Sequence, residues 1–80
     1  MALSRRERDV ISALARGLSD KETGLELGIA LGTVREYRKR VERKLGTKGL
    51  AQTMLVAWRY ELLDLGALAD MVIASIPRYR

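Results

Sequence analysis

The chain has 80 residues, of which 15 are Lys or Arg and 10 are Asp or Glu, so its net charge is +5. It contains no Cys and no His. A chain of this length can build one small domain around one core. The lack of Cys and His excludes disulfides and thiol nucleophiles and removes the commonest metal ligand and general base. We therefore expect no metal site, no cofactor and no enzymatic activity.

Apolar spacing and capping residues predict an all-α fold of four helices, or five. The first two helices begin with the same capping box, Ser-x-x-Glu, at Ser4–Glu7 and Ser19–Glu22. A glycine suited to positive φ follows each of the first three helices. The predicted helices cover residues 5–16, 20–27, 31–45, 50–63 and 67–76.

The last two predicted helices leave an alternative open. Gly66 allows a break between 50–63 and 67–76, so these segments form either two helices or one bent helix. The apolar stretch 62–76 is shorter than the roughly 20 residues that span a bilayer, and no signal-peptide pattern is visible. We expect a cytoplasmic, nucleoid-associated protein with no membrane contact.

Residues 19–45 have the layout of a helix-turn-helix, with a short helix, a tight turn and a longer basic helix. Gly24 provides a small residue where the two helices cross, and Gly28 can adopt positive φ in the turn. Residues 35–48 hold seven basic and two acidic residues, which equals the net charge of the whole chain. This concentration of charge favours a polyanionic partner such as DNA.

Five short motifs follow one another along the chain. They are Leu3-Ser4-x-Arg6-Glu7-Arg8-Asp9-Val10, Gly17-Leu18-Ser19-Asp20-Lys21-Glu22, Leu27-Gly28-Ile29, Gly32-Thr33-Val34-Arg35-x-Tyr37-Arg38 and Arg43-Lys44-Leu45-Gly46. In this order they resemble the DNA-binding domain of the LuxR/FixJ (GerE-like) family. The resemblance implies a four-helix bundle that contains the helix-turn-helix and forms dimer contacts through its fourth helix.

The resemblance covers about residues 3–63, so we expect a DNA-binding domain over 1–64. Residues 65–80 are then a helical extension and tail that we expect to assist dimerisation. The receiver or ligand-sensing domain that usually precedes this module has no counterpart in the sequence. A stand-alone module is therefore the expectation.

The resemblance places the DNA contacts around the third helix. The residues expected to contact bases are Arg35, Glu36 and Lys39. Arg and Lys can donate hydrogen bonds to guanine, and Glu can accept one from cytosine. Glu36 alternatively pairs with Arg40 on the next turn. Five residues are expected to contact phosphates, two by family position and three by charge and placement: Lys21, Thr33, Arg38, Arg43 and Lys48.

Three positions depart from the family pattern. Thr23 stands where the family prefers an apolar residue, and Tyr37 stands where His is frequent. Ala30 replaces the usual Ser or Thr cap of the recognition helix, a loss worth roughly 1 kcal/mol. We expect Tyr37 to be wedged between helices.

The apolar residues that follow the third helix predict a homodimer interface, formed by Met54, Leu55, Trp58, Leu62, Leu65, Leu68 and Val72. We expect a dimer that also uses part of this apolar segment as core. Two alternatives are that the segment only fills the core of one chain or docks on another regulator. The predicted function is a sequence-specific transcriptional regulator that reads a palindromic operator as a dimer, with RNA polymerase or another regulator as further partners. The alternative function is a decoy or anti-activator that binds a larger LuxR-type regulator or RNA polymerase.

Overall fold

A computed structural model describes residues 2–60 and 62–76, which form five α-helices and no strand. The helices are α1 (Arg5–Ala15), α2 (Asp20–Leu27), α3 (Leu31–Leu45), α4 (Gly49–Arg59) and α5 (Leu65–Ala74). The all-α prediction is confirmed, and the first three helices lie within one residue of their predicted bounds.

Local hydrogen bonds explain why α1 and α2 begin where they do. Ser4 Oγ accepts from the Glu7 N–H at 3.1 Å, and Glu7 Oε1 accepts from the Ser4 N–H at 2.7 Å. Ser19 and Glu22 make the same reciprocal pair at 3.0 and 2.9 Å. Each box satisfies N–H groups that a helix start would otherwise leave without a partner.

The chain breaks between α4 and α5 at a different place from the one predicted. Helix α4 ends at Arg59 rather than residue 63, and Gly66 lies inside the first turn of α5. Asp64 sets the start of α5, because its Oδ1 accepts from the Ala67 N–H at 3.0 Å. The two-helix alternative is therefore correct, whereas the break at Gly66 was wrong.

Two adjacent apolar clusters form the core. The first, made by Leu3, Ile11, Val41, Ala57 and Leu63, joins α1, α3, α4 and the segment after α4. The second, made by Val10, Leu14 and Val34, lies beneath the helix-turn-helix. Met54 packs against both clusters, and α5 packs on α1. The buried side of α3 thus packs against α1 and α4.

Within the described ranges, none of the helices combines the length and the apolar character needed to cross a bilayer.

Candidate nucleic-acid interface

Helices α2 and α3 meet in a tight turn that leaves no room for a side chain at Gly24. A Cβ atom placed there would lie 2.7 Å from the carbonyl oxygen of Ile29. The Ile29 N–H donates to the Gly24 carbonyl at 2.9 Å, and Gly28 ends α2 with φ of 69°. The predicted close crossing and left-handed turn residue are both present, and they fix how α3 leaves α2.

Helix α3 has a buried face and an opposite charged face. Val34 and Val41 are fully buried. The side chains of Arg35, Glu36 and Lys39, the predicted base-contacting residues, are 60%, 59% and 64% exposed. Helical spacing puts these three residues on the side away from the core. The structure therefore presents them together on one accessible surface.

The environment of Glu36 differs from the pairing considered for it. Its Oε1 lies 4.0 Å from the Lys39 Nζ, one turn along the same face. Arg40 instead places its guanidinium 5.3 Å from the centre of the Tyr37 ring. Tyr37 is half-buried against the core cluster beneath the helix-turn-helix, as expected.

Asp20, the first residue of α2, binds two arginines of α3. Arg38 Nη1 donates to both of its carboxylate oxygens, at 2.8 and 2.9 Å. Arg35 Nε lies 3.6 Å from Asp20 Oδ2. Arg38 was predicted as a phosphate contact, and the structure gives it a partner on the neighbouring helix. The sequence held no signal for this pair, since its members are 18 residues apart.

The other predicted phosphate contacts surround α3. Lys21 lies in the first turn of α2, Thr33 in the first turn of α3, Arg43 in the last turn of α3, and Lys48 at the N-cap of α4. All four residues are exposed. Ala30 makes no side-chain cap for α3, as its residue type predicts.

The end of α3 is tied to α1 by a contact that the sequence did not reveal. Lys44 Nζ donates to Glu7 Oε1 at 2.8 Å across 37 residues of chain. Burial alone would raise the pKa of Glu7, but the hydrogen bonds from Lys44 and Ser4 and the charge of Lys44 outweigh it. The pKa of Glu7 is consequently below its ordinary value of 4.5.

The predicted dimer residues divide into two groups. Met54, Leu62, Leu65 and Leu68 pack against the core of their own chain. Leu55 and Trp58 are 60% and 56% exposed on α4. Val72 is half-buried and lines a shallow groove between α1 and α5. The first group thus serves as the part of the segment that was expected to belong to the core, and the second group is the exposed part.

Residues 1–57 match the family described as bacterial regulatory proteins, luxR family. The chain belongs to this family. The spore germination protein GerE of Bacillus subtilis is 38% identical over 66 residues, which cover 82% of each chain. A solved structure of the transcription factor GerE superposes with a TM-score of 0.76 at 35% identity, covering 79% of this chain and 94% of that one.

Other relatives are longer regulators. The chain is 40% identical over 55 residues to the probable HTH-type transcriptional regulator GfsR of Streptomyces halstedii, and these residues cover 69% of this chain and 23% of GfsR. It is 39% identical over 59 residues to the transcriptional regulatory protein UhpA of Escherichia coli, covering 30% of UhpA. The chain thus spans about a quarter of the length of such relatives. The family consists of DNA-binding regulators, and it is not an enzyme family.

Proposed function

We propose that the chain is a transcriptional regulator that binds double-stranded DNA sequence-specifically as a dimer, with α3 in the major groove. The observation that carries the proposal is the exposed polar face of α3, which presents Arg35, Glu36 and Lys39 opposite its buried face. An α-helix fits the major groove, and these residue types can read base edges there.

Flanking cations support the same orientation. Lys21, Arg43 and Lys48 come from α2, from the end of α3 and from the start of α4. Cations arranged around a groove-binding helix can neutralise phosphates on either side of the groove. Such contacts would fix the position of α3, whereas its own exposed face would supply the sequence preference.

A dimer is proposed from the exposed side of α4. Leu55 and Trp58 are large apolar residues that one chain leaves in water, and a second copy of α4 would bury them. Two-fold symmetry would then place two α3 helices on successive major grooves, roughly 10 bp apart. A palindromic operator follows from that symmetry.

The test is selection of bound sites from random duplex DNA with the purified protein, together with its mass in solution. The expected result is a two-fold-symmetric consensus and a dimer mass. A failure of the purified protein to shift any duplex would contradict the proposal and favour the decoy or anti-activator alternative.

Two matched pairs of variants separate the parts of the proposal. Arg35→Ala should relax discrimination at one base pair by about 1–3 kcal/mol, whereas Arg43→Ala, at a proposed phosphate contact of the same helix, should weaken all duplexes alike. Equal weakening by both would make Arg35 a phosphate contact. Leu55→Asp should give a monomer, whereas Leu25→Asp, at a residue of α2 that is 76% exposed, should leave the mass unchanged.

A further inference from the structure

We infer that Asp20 is a positioning residue that sets how strongly Arg35 discriminates between bases. The inference rests on the proposed function, because it concerns the same face of α3. Asp20 is not among the residues that the sequence analysis assigned to the DNA interface.

The carboxylate of Asp20 interacts with two arginines of α3 at once. Its side chain is 19% exposed, and both carboxylate oxygens accept from Arg38 Nη1. The same carboxylate lies 3.6 Å from the Nε of Arg35, whose side chain is 60% exposed. One carboxylate therefore acts on two arginines one turn apart, and only the more exposed arginine is a predicted base contact.

The contact with Arg35 is made through Nε, the guanidinium nitrogen nearest the backbone. A contact through Nε does not use the edge formed by the two terminal nitrogens. That edge can donate two hydrogen bonds to the O6 and N7 atoms of a guanine. Asp20 can thus restrict the side chain while its recognition edge stays available, so less conformational freedom is lost on binding a base.

Asp20 should also disfavour a contact between Arg35 and a DNA phosphate. An unrestrained arginine beside a duplex can bind a phosphate, and a phosphate contact carries no sequence information. A carboxylate near the duplex repels phosphates and attracts the guanidinium, which disfavours that alternative contact. General affinity is lower as a result, whereas the difference in affinity between correct and incorrect sites is larger.

The test compares the selected site with the same site changed at the base pair that Arg35 reads. In Asp20→Asn, the ratio of the two affinities should fall by at least about threefold, against about 5- to 150-fold for loss of a complete bidentate contact. Affinity for an unrelated duplex should rise. Asp20→Glu keeps the carboxylate and should restore part of the ratio.

Glu26→Gln is the matched control. Like Asp20→Asn, it removes one negative charge from α2. It breaks an ion pair too, but the partner of Glu26 is Arg16, beyond the end of α1 and away from α3 in sequence. This variant should leave the affinity ratio unchanged. A ratio measured on one preparation is insensitive to the fraction of unfolded protein, so reduced stability of a variant does not imitate the expected effect.

A double variant identifies the residue through which Asp20 acts. In an Arg35→Ala background, Asp20→Asn should produce no further change in the ratio. An unchanged ratio in Asp20→Asn alone, or an equal drop in the Arg35→Ala background, would overturn the inference. If the wild-type protein shows no base preference at all, the proposed function fails as well, so the two failures are distinguishable.

Discussion

Thr23 and Thr53 are two buried threonines whose hydroxyl groups have different surroundings. Their residues are 0% and 2% exposed. Among the described residues, Thr23 Oγ1 is a buried side-chain oxygen with no hydrogen-bond partner. Thr53 Oγ1 donates to the Gly49 carbonyl at 2.7 Å and shares a 2.8 Å hydrogen bond with the Thr47 hydroxyl. The same substitution, Thr→Val, should therefore have opposite effects at the two positions.

The magnitudes follow from the hydrogen bonds. Valine matches threonine in shape, so Thr23→Val removes a desolvated hydroxyl without opening a cavity, and we expect a gain of about 1–2 kcal/mol. Thr53→Val removes two hydrogen bonds and leaves the Thr47 hydroxyl short of a partner, which should cost about 1–3 kcal/mol. For a domain of this size, each kcal/mol changes Tm by about 4–8 °C.

Urea and thermal unfolding of both variants and the wild type, followed by circular dichroism, measure the difference. We expect the midpoint to rise for Thr23→Val and to fall for Thr53→Val, with unchanged m-values. A loss of stability in Thr23→Val comparable to that in Thr53→Val would refute the reasoning, because it would show that the Thr23 hydroxyl has a partner in solution.

Four further predictions concern the turn, the anchor of α3, the start of α5 and the salt response. Gly24→Ala should lower the free energy of unfolding by about 1 kcal/mol in urea titrations, because the clash with the Ile29 carbonyl exceeds the gain in helix propensity; an increase would show that the turn adjusts freely. Since the pKa of Glu7 is lowered by folding, the stability it contributes is present at pH 7 and lost as pH falls below 4.5. Glu7→Gln should thus cost about 1 kcal/mol at neutral pH and flatten the acid limb of a pH–stability curve; an acid limb as steep as that of the wild type would contradict this. Asp64→Ala should cost roughly 1 kcal/mol locally and speed amide hydrogen exchange in α5, and equal acceleration in α3 would argue against a local cap. Affinity for the selected DNA should fall by about 10³-fold between 50 and 200 mM salt, and a flat response would exclude phosphate contacts.

The sequence predicted the fold where local chemistry determines it. The capping boxes at Ser4 and Ser19 and the glycines after α2 and α3 act within a few residues of chain, so their patterns are readable in one dimension. The break between α4 and α5 was misplaced because Gly66 looked like a terminator. The deciding residue is Asp64, whose side chain caps a helix that accepts glycine in its first turn.

The candidate site was predictable in composition but not in its internal contacts. Helical periodicity alone puts Arg35 and Lys39 on the face opposite Val34. The contacts of Asp20 with Arg38 and of Glu7 with Lys44 depend on how α1 and α2 pack on α3, and no local pattern encodes them. For the same reason, the sequence marked Thr23 as unusual without showing that its hydroxyl lacks a partner.

These contacts show that part of the basic charge behind the net charge of +5 is paired within the domain. Two of the seven basic residues between positions 35 and 48 are already hydrogen-bonded to carboxylates of other helices, Arg38 to Asp20 and Lys44 to Glu7. If Arg38 stays on Asp20, three cations per subunit remain among the proposed phosphate contacts, which are Lys21, Arg43 and Lys48. If each cation neutralises one phosphate, a dimer neutralises six, and its affinity for DNA should fall by about 10³-fold between 50 and 200 mM salt. With Arg38 included a dimer neutralises eight, and the affinity should fall by about 10⁴-fold. The salt slope therefore reports how much of the basic charge serves the fold of the domain and how much reaches the DNA.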